Sequence, residues 1–409
     1  MKKIKNIPYN KQCINNDDIS DVLQSLSGGL ITTGPEADLF ERELSEYIGV
    51  KYTVVCSSGT AALHMAMQSL DLNKTDAILT TPITFIADAN AARFVGAQVL
   101  FADICKDTVN LNPISVRKVL LDRPDIKAII PVHFAGHPTD MDELYKIAQE
   151  FNVYIVEDAC HALGAEYKIQ NNIVKVGSCV HSDMTVFSFH PIKSITTGEG
   201  GAITTNNKDV YERLLRLRSH GTTKDANLIQ NTELGLSMVD GEMVVNPWYY
   251  EMQELAHNYR ISDFQCALGR SQLKRLDYFI ERRNYIAKVY KKEIEKRLKD
   301  KVIPLSNKPN TLSSYHLFVV RISFEKIIGG RAALMIHLRE QGVHTQVHYM
   351  PIYLHPYYQS YLNIVPSLTE AESYYDECLS LPIYACMQDK DPLYVLDILV
   401  DTIDLLWKN

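Results

Sequence analysis

The sequence predicts an α/β protein with a mostly parallel sheet, followed by a smaller α/β unit. From residue 52 to about residue 205, short β-rich runs alternate with helical stretches. This alternation is typical of parallel strands that are joined by helices and covered by them on both faces. A long helical segment then leads into a second, shorter set of strand and helix patterns.

Each element of the first part follows from its local pattern. Clusters of β-branched, aromatic and aliphatic residues predict strands at residues 52–56, 77–81, 98–102, 126–132, 153–157, 185–188 and 201–205. Apolar residues at helical spacing predict helices at residues 60–70, 86–94, 113–121 and 141–151. Ser57, Asp158 and Ser188 therefore fall at the carboxyl ends of strands, where ligands gather in such sheets.

The second half of the chain has a different organisation. Residues 221–247 are polar and lack a clear period, which predicts a long excursion. Residues 262 to about 298 predict one helix, with Asp263 early and basic residues later, as the helix dipole favours. A strand at 316–322 and a helix at 328–341 follow. We expect a large domain over residues 1–265, and a connecting helix with a small domain over residues 266–409.

Composition excludes several classes of partner. The 409 residues are 46% hydrophobic, and 42 Lys and Arg stand against 49 Asp and Glu, for a formal net charge of −7. This balance predicts no general attraction to nucleic acid or anionic membranes, and no apolar run is long enough to span a bilayer. The eight cysteines are scattered without zinc spacing, so we expect no metal site and reduced thiols. No apolar signal-peptide core follows the basic start, which predicts a cytoplasmic protein.

Two segments offer an amine and a carboxylate. Lys193 ends the run Phe-Ser-Phe-His-Pro-Ile-Lys before a glycine-rich turn, and Asp158 follows an apolar strand in Val-Glu-Asp-Ala-Cys-His. A lysine can bind an aromatic aldehyde as a Schiff base, while an acid keeps a ring nitrogen protonated so that the ring withdraws electrons. Pyridoxal phosphate needs both groups. Each residue alone is weak evidence, because most lysines are solvated and such aspartates often cap helices.

The two segments resemble the DegT-type sugar aminotransferases, which are pyridoxal phosphate enzymes of fold type I, the aspartate aminotransferase-like fold. The resemblance covers nearly the whole chain and is densest from residue 54 to residue 201. It implies that Lys193 carries the cofactor and that Asp158 pairs with the ring nitrogen, so both are expected to be catalytic. Related sugar dehydratases have histidine in place of this lysine, and Lys193 therefore implies transamination.

Further residues match cofactor-binding positions of the family. Ser58, Gly59 and Thr60 follow a strand and open a helix, where free N–H groups and the helix dipole suit a phosphate. The resemblance adds four cofactor contacts: Phe85 stacking on the ring, His161 near the ring, Ser188 on the phosphate, and Asn258 on the partner subunit's phosphate. It thus implies a homodimer with shared active sites. Ordinary alternatives stay open: Ser58, Gly59 and Thr60 could form a plain N-cap, and Phe85 could be a core residue. His161 and Ser188 could be structural polar groups.

Two outer segments indicate the substrate. Residues 247–258 and 345–358 resemble family members that aminate a UDP-linked 4-keto-6-deoxy-N-acetylhexosamine in pseudaminic acid synthesis, with glutamate as the amino donor. The candidate substrate-binding residues are His190, Tyr259, Arg260, His348 and Tyr349. Alternatively, His190 is structural, Arg260 anchors its own turn, and the aromatic clusters pack at a dimer interface.

Three rival functions stay open at this stage. These are amination of another nucleotide sugar, a lyase or desulfurase reaction on the same fold, and a regulatory protein without turnover. The complete set of cofactor residues argues against the last. His133 and His137 have no evident partner in the sequence, and we expect them to be buried and hydrogen-bonded.

Overall fold

The computed structural model describes residues 5–362 and 365–408. Its helices are α1 (Asn16–Leu26), α2 (Pro35–Ile48), α3 (Gly59–Ser69), α4 (Ala87–Phe94), α5 (Pro113–Asp122), α6 (Met141–Phe151), α7 (Lys208–Arg218), α8 (Thr232–Gly235), α9 (Asp263–Leu273), α10 (Leu276–Arg297), α11 (Gly330–Glu340), α12 (Pro356–Tyr361), α13 (Thr369–Glu377) and α14 (Asp391–Leu406). Its strands are β1 (Tyr52–Cys56), β2 (Ala77–Thr80), β3 (Gln98–Phe101), β4 (Ile126–Ile130), β5 (Tyr154–Asp158), β6 (Glu166–Ile169), β7 (Asn172–Lys175), β8 (Met184–Ser188), β9 (Gly201–Thr205), β10 (Thr222–Thr223), β11 (Leu236–Val239), β12 (Glu242–Val245), β13 (Glu251–Met252), β14 (Val302–Pro304), β15 (Thr311–Leu312), β16 (Phe318–Ile322) and β17 (Cys378–Leu381).

A seven-stranded sheet forms the centre of the larger part, with the strand order β1-β9-β8-β5-β4-β2-β3. Strands β3, β2, β4, β5 and β8 are parallel, whereas β9 runs antiparallel to both of its neighbours, β1 and β8. This mixed, mostly parallel sheet confirms the predicted α/β fold class.

Alternate strand residues face two separate apolar cores. Val55 and Ile155 lie in a core that includes side chains of α2, α6 and α10. Val54 and Val156 lie in the other core, with side chains of α3, α4 and α7. Because helices cover both faces, the carboxyl ends of the parallel strands are where polar side chains can collect around a ligand.

A second sheet, β14-β16-β17, is antiparallel and lies in the C-terminal part. It packs with α10, α11 and α14 in a third core that contains Tyr290, Leu334 and Leu399. Ile7 belongs to the same core. The predicted domain boundary after residue 265 falls inside α9, and the division into two domains stays a prediction.

The expected helix over residues 262–298 is broken in the structure. Arg275 separates α9 from α10 and leaves helical backbone angles, with φ −112° and ψ 5°. Its guanidinium binds the Cys13 carbonyl at 3.2 Å and the Asp18 carboxylate. The chain therefore turns where it is tied to the N-terminal segment, and no proline or glycine marks this point in the sequence.

The remaining differences between the structure and the elements predicted from the sequence are local. The excursion over residues 221–247 contains α8 and a hairpin formed by β11 and β12, and two helices, α1 and α2, precede the first strand. Within the described ranges, no helix combines the length and the apolar character needed to cross a membrane.

Candidate active site

A cavity of about 280 Å³ lies at the carboxyl ends of β1, β5 and β8. Its walls include ten of the residues predicted from the sequence: Ser58, Gly59, Thr60, Phe85, Asp158, His161, Ser188, His190, Lys193 and Tyr349. Small-molecule pockets usually enclose about 300–1,000 Å³. The cavity is therefore of a size that suits one small cofactor.

The start of α3 supplies an anion-binding end to this cavity. The amides of Gly59 and Thr60 precede the first intrahelical hydrogen bond, which Ala62 donates to the Ser58 carbonyl at 3.0 Å. A Cβ at Gly59 would lie 2.9 Å from Ser188 Cβ, so only glycine allows this close approach of α3 to β8. Free amides and the positive end of the helix dipole suit a phosphate.

Asp158 presents its carboxyl group from the end of β5. The residue is 6% exposed, and its Oδ1 accepts a hydrogen bond from the Cys160 amide at 2.8 Å. Its carboxyl group is also in hydrogen-bond contact with Asp88, a residue that the sequence analysis missed. The only signal for Asp88 was a single acidic residue inside the alanine-rich run of α4.

Lys193 lies in the loop between β8 and β9. Its backbone amide donates to the His190 carbonyl at 2.9 Å, which folds this loop back over the sheet end. The side chain borders the cavity, and burial lowers the pKa of its amine, while Cys160, Asp158 and Asp88 act in the opposite direction. A buried amine of lowered pKa is a better nucleophile and base near neutral pH than a solvated lysine.

Aromatic rings border the same space. Phe85 is 57% exposed, whereas His161 is buried, with Nε2 3.4 Å from the Tyr349 hydroxyl and its ring 4.3 Å from the ring of His316. Burial, and then the charge of Lys193, lowers the pKa of His161 well below its ordinary value. Its Nδ1 has no hydrogen-bond partner among the described residues, so one buried polar atom is free for a ligand.

These groups fit pyridoxal phosphate, the cofactor expected from the sequence. A helix N-terminus suits its phosphate, a carboxyl group suits its ring nitrogen, and a buried amine suits its aldehyde. Two observations favour a ligand here independently of the family resemblance. They are the unpaired Nδ1 of His161 and the start of α3, where Gly59 leaves no side chain in the way.

Four predicted residues, Asn258, Tyr259, Arg260 and His348, lie outside the cavity walls of the single chain. Asn258 is exposed, and its Oδ1 accepts a hydrogen bond from the Arg260 amide at 3.3 Å. The Tyr259 hydroxyl contacts His64 Nδ1 at 2.9 Å. The predicted cofactor contact of Asn258 is therefore not made within its own chain.

The two histidines predicted to contact substrate occupy different environments. His190 lines the cavity, and its Nδ1 accepts a long hydrogen bond from the Ile192 amide at 3.5 Å. His348 is outside the cavity walls and buried, with Nδ1 2.8 Å from the Ser380 hydroxyl. Of the two, His190 is the one that the structure brings to the cavity.

The two histidines expected to be structural are both buried. His133 Nε2 lies 2.7 Å from a carboxylate oxygen of Glu157, and its Nδ1 accepts from the Thr139 amide at 3.1 Å. His137 packs edge-on against Tyr315, and burial lowers its pKa to about 3. The expected hydrogen-bonded role is confirmed for His133, whereas Nδ1 of His137 has no partner in the described part of the chain.

Several known proteins that are similar to this chain are aminotransferases. Residues 12–400 match the DegT/DnrJ/EryC1/StrS aminotransferase family. The chain is 38% identical over 404 residues to the UDP-4-amino-4,6-dideoxy-N-acetyl-beta-L-altrosamine transaminase of Campylobacter jejuni, with 98% of this chain and 99% of the relative covered.

Solved structures give the same result. PseC of Helicobacter pylori, an aminotransferase involved in the biosynthesis of pseudoaminic acid, has a TM-score of 0.86 at 30% identity, and 98% of this chain and 100% of that chain are covered. Spr1654 of Streptococcus pneumoniae, solved in PLP and PMP forms, is 27% identical. Its PLP form has a TM-score of 0.84, with 98% of this chain and 99% of that chain covered. The family and fold expected from the sequence are confirmed: the chain is an aminotransferase that belongs to the DegT/DnrJ/EryC1/StrS family, whose members are pyridoxal phosphate enzymes.

Proposed function

We propose that this protein transfers an amino group to a UDP-linked keto sugar, with pyridoxal phosphate bound in the cavity through Lys193. The main evidence for this function is that the amine of Lys193 and the carboxyl group of Asp158 border one cavity together with the start of α3. The bound cofactor supplies an aldehyde that accepts nitrogen and a ring that withdraws electrons from the reacting carbon.

The surrounding residues hold the cofactor by complementary chemistry. The amides of Gly59 and Thr60 and the hydroxyls of Ser58 and Ser188 bind the phosphate. Phe85 provides an aromatic face for the ring. His161 provides a second contact near the ring, with its unpaired Nδ1 available for a hydrogen bond. Asp158 is the acid that pairs with the ring nitrogen.

Lys193 also moves the proton at the carbon that gains or loses nitrogen. This work needs an amine that is neutral for part of the time near neutral pH, and the ordinary lysine pKa is about 10.4. Burial supplies a shift in the required direction, because a charged amine loses hydration inside the cavity. The same amine, once protonated, can return the proton.

The substrate proposal follows from the Campylobacter relative, which matches nearly the full length of the chain. We propose UDP-2-acetamido-2,6-dideoxy-β-L-arabino-hexos-4-ulose as the acceptor and glutamate as the amino donor. The cavity has room for one small cofactor, so the sugar nucleotide must extend beyond it. His190 and Tyr349 line the cavity and are candidate sugar contacts, while Tyr259, Arg260 and His348 are candidates for outer positions.

A homodimer completes this proposal. Asn258 is exposed and outside the cavity of its own chain, so we propose that it contacts the phosphate bound by the partner subunit. Mixing an inactive Lys193→Ala chain with an inactive Asn258→Ala chain should restore some activity, because one hybrid site then has both intact residues. No rescue in verified heterodimers would mean that each site is built within one chain.

The attachment site is tested by reducing the purified protein, which we expect to be yellow, with borohydride and mapping the modified peptide. We expect the cofactor on Lys193, and we expect Lys193→Ala and Lys193→Arg to lose the visible absorbance of the attached cofactor. Attachment to any other lysine would show that the site is wrongly placed.

The substrate is tested by comparing the proposed β-L-arabino keto sugar with its D-xylo epimer at equal glutamate and cofactor. A wrong epimer leaves buried polar groups unpaired, each at a cost of about 1–3 kcal/mol, so two mismatches give roughly a thirtyfold preference or more. Lys193→Ala is the control for uncatalysed transfer. Faster turnover of the D-xylo sugar would refute the sugar assignment while leaving the aminotransferase assignment intact.

A further inference from the structure

Asp88 is a buried acid of α4 that does not line the cavity, and the cofactor contacts proposed above give it no role. It lies in the first turn of α4 and has no exposed surface. Its Oδ2 accepts a hydrogen bond from the Thr84 hydroxyl at 2.7 Å. Its Oδ1 is buried and receives no hydrogen bond within residues 5–362 and 365–408. Besides Thr84, the carboxyl group of Asp158 is in hydrogen-bond contact with Asp88.

Two carboxyl groups in contact inside a protein cannot both be ionised at low cost, so one of them retains a proton. The surroundings decide which one it is. Asp158 receives the N–H of Cys160 and faces the cavity with Lys193. Asp88 is more deeply buried and has a single hydroxyl donor. Each carboxyl group accepts one hydrogen bond from its surroundings, so burial makes the difference: Asp88 has no exposed surface, whereas Asp158 borders the cavity with Lys193. A negative charge is therefore less costly on Asp158 than on Asp88.

We propose that Asp88 is a neutral carboxylic acid whose O–H donates to Asp158 and fixes the direction in which Asp158 faces the cavity. Asp88 is thus a positioning residue that acts through Asp158, and the proposal rests on the function proposed for Asp158. The hydrogen bond also explains the unpaired Oδ1, because a protonated oxygen there is a donor that needs an acceptor.

The electrostatics of the buried pair agree with this assignment. Burial, followed by the charge of Asp158, raises the pKa of Asp88 well above its ordinary value. The Thr84 hydroxyl and the charge of Lys193 oppose this shift without reversing it.

The charge state of Asp88 is tested in the apoprotein, where no cofactor is needed. A carboxyl group whose pKa is raised on folding contributes stability below its unfolded pKa of about 3.9, and this contribution is lost as the pH rises toward the folded pKa. The side-chain amide of the Asp88→Asn variant does not titrate in this range. The unfolding constant of the wild type, divided by that of Asp88→Asn, should therefore rise about tenfold per pH unit from about pH 5 to the folded pKa.

A flat ratio between pH 5 and pH 8 would overturn the proposal, because it would mean that Asp88 is ionised in the folded protein. If Asp88→Asn failed to fold, Asp158→Asn would test the same pair. Removing the charge of Asp158 lowers the pKa of Asp88, so this variant should also lose less stability than the wild type as the pH rises. If the stability of Asp158→Asn had the same pH dependence as that of the wild type, the assignment of the proton to Asp88 would again be refuted.

The positioning role is tested in the cofactor-loaded protein with two variants of similar shape. Asp88→Asn keeps an N–H donor for Asp158 and an acceptor for Thr84, whereas Asp88→Leu keeps the volume without the hydrogen bonds. We expect Asp88→Asn to retain the pH titration of the cofactor absorbance and turnover within a few-fold of the wild type. We expect Asp88→Leu to shift that titration and to lower kcat at least about tenfold.

These outcomes distinguish a failure of the positioning role of Asp88 from a failure of the proposed aminotransferase function. If Asp88→Leu behaved as Asp88→Asn in both absorbance and kcat, the positioning role would be wrong even though Lys193 carried the cofactor. If borohydride mapping placed the cofactor away from Lys193, the proposed function would be wrong, and the apoprotein titration would still decide the charge state of Asp88.

Discussion

Replacing Gly201 by alanine should damage the phosphate end of the site through the backbone. Gly201 begins β9 and pairs with Cys56 of β1 on one side and with Ser188 of β8 on the other. A Cβ at Gly201 would lie 2.5 Å from the carbonyl carbon and oxygen of Ser58, and 2.8 Å from the amide nitrogen of Gly59. These are backbone atoms, so no change of side-chain rotamer can relieve the overlap.

The size of the effect follows from these distances. Ordinary van der Waals contact begins near 3.4 Å, so β9 and the start of α3 would have to separate by about 0.9 Å. Overpacking of a tight interior typically costs about 1–3 kcal/mol, and a displacement of about 1 Å in a binding group can cost about a hundredfold in rate. We expect Gly201→Ala to lose about 1–3 kcal/mol of apoprotein stability and about a hundredfold in kcat/KM.

Urea unfolding of the apoprotein and steady-state kinetics measure these two effects, and an absorbance titration with pyridoxal phosphate measures cofactor binding. Gly29→Ala is the matched control, because nothing lies within 4 Å of a Cβ added at the exposed Gly29. If Gly201→Ala bound the cofactor normally and kept kcat/KM within about twofold of the wild type, β9 would not determine the position of the α3 amides and the reasoning would be refuted.

Two further predictions concern titratable groups away from the cavity. Burial acts to raise the pKa of Glu157, but the hydrogen bond from His133 outweighs it, and the pKa of Glu157 lies below its ordinary value. The pair therefore stabilises the fold fully above about pH 4.3, and this contribution is lost at lower pH. Glu157→Gln should therefore cost about 1.5–3 kcal/mol at pH 7 and less below pH 4 in urea unfolding, whereas an equal cost at both pH values would contradict this. The hydrogen bond from Cys386, helped by the charge of Arg275, lowers the pKa of Cys13 to about 6. Iodoacetamide at neutral pH should alkylate Cys13 before the other thiols, and Cys386→Ala should slow that reaction; peptide mapping that found another cysteine labelled first would contradict this.

The sequence by itself determined the α/β fold class and most of the central elements. Local patterns were sufficient for this, because the period of apolar residues depends on near neighbours and on whether a strand is covered on both faces. The same holds for the start of α3, since Ser58, Gly59 and Thr60 are adjacent and need only the helix dipole to suit an anion. The pairing of Lys193 with Asp158 came from resemblance to a family, and the structure places both in one cavity.

Only the tertiary structure decided which distant residues meet. Asp88 and Asp158 are 70 positions apart, and their contact depends on how α4 and β5 are placed around the sheet, which no local pattern encodes. The break between α9 and α10 is similar, because it coincides with the contact of Arg275 with the N-terminal segment and no helix-breaking residue marks it. The antiparallel insertion of β9 between β1 and β8 also escapes local patterns, since apolar spacing carries no strand direction. The physical reason is common to all three: periodicity reports burial, whereas the partner that a buried polar group or strand edge finds is set by the packing of the whole chain.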